Sequence, residues 1–117
     1  MELSPAYQDL VHQHGGARSW EVLDALNPMF LSWRSSGVTF HEAMSSIIAG
    51  LLAAAERYSR SPGEYLKMVE TLTDEAAAGV ILAGFLWHMP SEAVAGEARV
   101  LPRTIRAYAF PEASPQL

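Results

Sequence analysis

Cysteine is absent from this chain. That excludes disulfides, thiolate zinc sites, iron–sulfur ligation and cysteine nucleophiles, and it fits a reducing compartment, so a cytoplasmic protein is expected. Lysine is nearly absent too: Lys67 stands against seven arginines in a chain of net charge −5. A general nucleic-acid binder needs a basic surface, so none is expected here. The arginine excess, together with many alanines and glycines, suggests a GC-rich coding sequence of bacterial or phage origin. The opening MELSPAYQDL has neither a basic n-region nor an apolar h-region, so no secretory signal is expected.

Catalytic signatures are missing as well. No Gly-rich phosphate loop follows a strand, no Gly-x-Ser-x-Gly elbow occurs, and no pair of carboxylates sits where its two pKa values would be pushed apart. Four histidines occur without HExxH spacing. His12 and His14 on one helix would point about 200° apart and could not share a metal. Neither an enzyme nor a bound metal or cofactor is expected.

What the chain does have is two stretches without a single charge, Ala43 to Ala55 and Ala76 to Ser91. Both fall in helical patterns. A helix with no charged face has little to offer water, so each should be wrapped by other helices or covered by a partner. Both runs are shorter than the ~20 residues that cross a bilayer, so membrane insertion is not expected. Gly50 with Ala54, and Gly79 with Ala83, put small residues four apart, where two helix backbones can come close.

At 117 residues the chain is one domain by size. Half its residues are hydrophobic and 18% charged, which argues against disorder of the whole. The expected architecture is all-α: a compact bundle of five or six helices over residues 1–110, with two central apolar helices at about 39–59 and 74–89, an irregular C-terminal arm, and a disordered tail over 111–117.

Local signals mark the elements. Ser4-Pro5 opens a helix that Gly15-Gly16 should stop. Ser19 can cap a second, bearing Trp20, Leu23, Leu26 and Phe30, which Pro28 should kink or break. Thr39-Phe40-His41-Glu42 is a capping box, and Ser61-Pro62-Gly63-Glu64 a second one with proline at the first position. Thr73 can cap a separate helix, with Asp74 and Glu75 in its first turn and Pro90 at its end. A short helix from Ser91 to about Arg99 should precede an extended arm, because Pro102 and Pro111 deny this end a long helix.

Two surfaces are candidates for recognition. Between Ser61 and Glu97 six acids, among them Glu64, Glu70, Asp74 and Glu75, face one lysine. The arm carries Arg103, Arg106, Tyr108 and Phe110, too apolar for a free tail. Tryptophans at 20, 33 and 87 are potential interface anchors, with core packing the better expectation for at least two. The Trp87-His88-Met89 corner could line a pocket. The function expected is that of a non-enzymatic interaction module binding one protein partner through its acidic surface or its arm, as small bacterial or phage inhibitors, immunity factors and adaptors do. The alternative is a small-molecule-binding or sensor module with an enclosed apolar pocket between the central helices. A bundle this small can enclose one helix but hardly two, so a homodimer is expected to close the rest.

Overall fold

The computed structural model describes residues 2–14 and 18–110. The described residues form five helices: α1 (Pro5–His14), α2 (Ser19–Ser35), α3 (Phe40–Tyr58), α4 (Pro62–Leu86) and α5 (Ser91–Ala109). The described residues form a compact all-helical globule with no strand. Gly15-Gly16 and the 111–117 tail lie outside the described residues.

The centre is α4. It packs against each of the other four helices, most extensively against α3, α5 and α2. From Ala76 to Leu86 every residue is buried except Phe85, which is half-buried. Small side chains make this possible. A Cβ on Gly84 would collide with Val94 Cγ2, so α5 sits against bare backbone there. A Cβ on Gly79 would stand 3.4 Å from Leu26 and 3.5 Å from Ile47, where α2 and α3 lean over α4.

The end of α4 is tied by contacts distant in sequence. His88 adopts a left-handed φ of 56°. Its amide reaches the Phe85 carbonyl (3.1 Å) and the Met89 amide the Gly84 carbonyl (2.8 Å), a Schellman turn with histidine where glycine is usual. Arg34 donates to the Leu86 carbonyl (2.9 Å), placing a cation at the negative end of the helix dipole. The Trp87 indole donates to the Val38 carbonyl (2.6 Å) and the Tyr7 hydroxyl to the Met89 carbonyl (2.5 Å). Burial, and the Glu92 carboxylate to a lesser degree, push the Tyr7 hydroxyl pKa up.

Four expectations need correction. Pro28 does not break α2. Pro28 and Asp24 are both exposed, so the Asp24 carbonyl that loses its donor has water, while Leu23 and Phe30 on the other face are fully buried. Ser19 is not the cap of α2 but lies buried in its first turn, after Arg18. Thr73 starts no helix. Its hydroxyl donates to the Val69 carbonyl (2.6 Å) inside a continuous α4, which swallows the expected 74–89 helix and stops at Leu86, short of Pro90.

The irregular arm is helix as well. α5 passes through Pro102, whose ring is exposed, because Leu101 and Ile105 are buried against the bundle. The Thr39 capping box forms in full (Thr39 N to Glu42 Oε1 3.2 Å, Glu42 N to Thr39 Oγ1 3.2 Å), and the Ser61 hydroxyl accepts from the Glu64 amide (3.2 Å).

Candidate functional site

A groove runs between α2 and α3, floored by α4. Both helices pack on α4 yet make little contact with one another. The space between them has a volume of about 430 Å³ and is open to solvent. One wall is large and apolar: Val22, Leu26, Met29 and Trp33 recur along α2. The other wall mixes sizes: Ser46, Gly50 and Ala54 follow each other one turn apart on α3, beside Ile47 and Leu51. Leu72, Glu75 and Ala76 of α4 line the base.

The walls are well supported. Trp33 stacks on the fully buried Phe30 with ring centroids 5.3 Å apart, and Trp87 meets Phe30 edge-on at 6.3 Å. Met29 is 39% exposed at the lip. A Cβ on Gly50 would meet nothing within 4 Å, so this glycine faces the open groove rather than a neighbouring helix. Glu75 is the charged residue of the lining, and it lies 4.0 Å from Arg18 Nη1. Arg18 is shared, since its Nε also reaches Glu21 at 3.3 Å.

The acidic surface and the arm come together elsewhere, along the α4–α5 seam. Arg106 Nη2 reaches Glu70 Oε1 at 3.4 Å, and Tyr65 packs edge-on against Phe110 at 5.7 Å. Glu70, Asp74 and Arg106 line a shallow cleft with Val69, Thr73 and Pro102. Part of the acidity is therefore answered within the chain, Glu70 by Arg106 and Glu75 by Arg18. Glu64 lies in the first turn of α4, away from that cleft. Arg103 and Tyr108 are exposed on α5.

The histidine and tryptophan candidates disperse. His12 and His14 end α1, His41 opens α3 and His88 turns the chain after α4. Among the described residues no three His, Asp or Glu side chains cluster closely enough to hold a metal ion. Trp33 and Trp87 pack against the core while Trp20 is exposed. Trp87 sits at the hydrogen-bonded corner that ends α4, its indole donating to the Val38 carbonyl.

The groove's α2 wall had a visible signal, the 22-26-29-33 apolar spacing. It continues past Pro28 and so was hidden by the expectation of a break. None of the helices is long and apolar enough to cross a membrane among the described residues. No protein family, characterised protein or solved structure matches the chain.

Proposed function

We propose that this chain is a non-enzymatic interaction module that seats an apolar segment of one protein partner in the α2–α3 groove. The observation that carries this reading is the groove itself. It is open, lined mostly by apolar side chains of three helices, and flanked by a partly exposed methionine and a tryptophan stacked on Phe30. Helix-in-groove recognition uses such a trough, with apolar anchors recurring every three to four residues of the bound segment. Methionine adapts to varied anchors at little cost in order.

The acidic surface becomes the secondary contact. Glu70 and Glu75 already have arginine neighbours in the chain, so a basic partner would have to compete for them. A small apolar ligand is the alternative occupant, since the groove volume lies in the range of ligand sites. Its openness favours the protein partner. An adaptor or inhibitor role fits such a binding mode by class only.

The test compares three baits against an extract of the native host: wild type, Ala54→Trp, and the triple reversal Glu64→Lys/Glu70→Lys/Asp74→Lys. The indole at 54 would fill the groove from its α3 wall. A partner held by wild type and by the triple variant, and lost from folded Ala54→Trp, is the expected result. A partner that survives Ala54→Trp and disappears from the triple variant would transfer the site to the acidic surface.

A further inference from the structure

Sulfur enters this chain only through methionine, and the five methionines are not equivalent. Among the described residues Met44, Met68 and Met89 are half-buried, while Met29 is 39% exposed. Met29 is also the methionine that lines the α2–α3 groove, on the same wall as Leu26 and Trp33. Oxidation of a thioether follows access to its sulfur. The methionine placed to touch an occupant is therefore the one most open to an oxidant.

We propose that Met29 is a redox switch on the groove: a hydroperoxide converts it to the sulfoxide, and the oxidised groove releases its apolar occupant. The proposal rests on the reading of the groove as a binding site. With hydrogen peroxide, a sulfur lone pair attacks one peroxide oxygen. The S–O bond forms as the O–O bond breaks, and the other oxygen leaves as water. Sulfur gives up two electrons and the peroxide takes them, so no further co-reactant is needed. Sulfoxide reductases reverse the change, which makes it a switch rather than damage.

The product is a strong hydrogen-bond acceptor in a mostly apolar lining. In the open groove it faces water, but an occupant has to bury it. Val22, Leu26 and Phe30 offer no side-chain donor, and the Glu75 carboxylate only accepts. The Ser46 hydroxyl and the Trp33 indole can donate. Both belong to the lining, so a sulfoxide satisfied by either one stays in the space the occupant needs. An acceptor buried without a partner weakens binding by roughly ten-fold or more. The fold is spared, because α2 is anchored through the fully buried Leu23 and Phe30 rather than through Met29.

The test uses the full chain, hydrogen peroxide as oxidant, and the neutral dye Nile red, which brightens in apolar surroundings, as the groove probe. Ala54→Trp serves as the blocked groove. Mild peroxide should oxidise Met29 ahead of Met44, Met68 and Met89 by peptide mass spectrometry, with the helical spectrum unchanged. Dye affinity of the wild type should then fall by roughly ten-fold or more and return after treatment with sulfoxide reductase. Met29→Leu keeps the wall apolar and cannot be oxidised, so it should bind the dye equally before and after peroxide. The switch is overturned if the wild type takes up no dye, if binding survives oxidation of Met29, or if Met29→Leu loses the dye as the wild type does. Dye lost from Ala54→Trp but indifferent to oxidation removes the switch and leaves the groove reading standing. Dye held equally by wild type and Ala54→Trp removes both.

Discussion

The two charge-free runs look alike in composition and end in opposite environments. In α4 the run from Ala76 to Leu86 is enclosed by four helices. In α3 the run from Ala43 to Ala55 buries Ala43, Ile48, Leu51 and Ala55 but exposes Ser45, Ser46, Ala49, Gly50 and Ala53. α4 is therefore enclosed, while α3 packs on it and leaves one side exposed. Lack of charge tells only that a face does not repel apolar matter. Whether that face is covered depends on how many helices reach it, and a five-helix domain surrounds one. Large aliphatic side chains distinguish the two: α4 has Val80, Ile81 and Leu82 in succession, so no side of it is free of bulk, whereas the outer side of α3 is limited to Ser, Ala and Gly.

The contrast can be broken first at the largest side chains. Leu82→Ala, at a position with no exposure, should cost about 2–5 kcal/mol through lost burial and a cavity. Ala49→Ser on the outer face of α3 should stay within about 0.5 kcal/mol, as surface substitutions do. Urea unfolding of both variants at high dilution, where self-association does not contribute, gives the comparison. Similar losses would mean that α3 is covered to the same extent as α4.

The glycines give a smaller effect and a change of sign. Alanine is favoured over glycine inside a helix by about 0.5–1 kcal/mol. At Gly50 the new methyl meets nothing, so Gly50→Ala should stabilise the monomer by about that amount. At Gly84 the same methyl collides with Val94, and overpacking of about 1–3 kcal/mol should outweigh the propensity gain. Gly84→Ala/Val94→Ala should recover part of the loss by relieving the collision. Two glycines responding with the same sign would remove the distinction between a backbone contact and an open face.

The smallest effect lies at the start of α3. The Thr39 amide and hydroxyl hold the Glu42 carboxyl below the usual glutamate range. A folded pKa below the unfolded one contributes stability that is present above the unfolded pKa and is lost as pH falls through the folded pKa. The stability difference between wild type and Glu42→Gln should therefore be steady at neutral pH and shrink in that acid window. A difference independent of pH would show that Glu42 contributes no charge to the cap.

Helix starts were legible where the capping chemistry is local. Pro5, Thr39 with Glu42, and Ser61 with Pro62 each settle their first turn within four residues, and the structure begins helices there. Helix continuity was not. Pro28, Thr73 and Pro102 carry local signals for interruption, and all three lie inside helices. A proline in a helix interior costs about 3 kcal/mol, comparable to what burying one large apolar side chain returns. Phe30 beside Pro28, and Leu101 with Ile105 around Pro102, supply that burial only once α4 is in place to receive them.

The candidate surfaces divide in the same way. Composition and spacing alone dictated an all-helical, single-core, cysteine-free acidic chain, because periodicity, capping and net charge are properties of neighbouring residues or of sums. Packing selected which apolar stripe met another helix and which remained as a groove wall. It also brought Arg106 to Glu70 and Arg18 to Glu75, and left the uncharged side of α3 facing water. Those outcomes depend on the splay of α2 and α3 over α4, and that splay is set by contacts between residues far apart in the chain, such as Leu26 and Ile47 closing over Gly79.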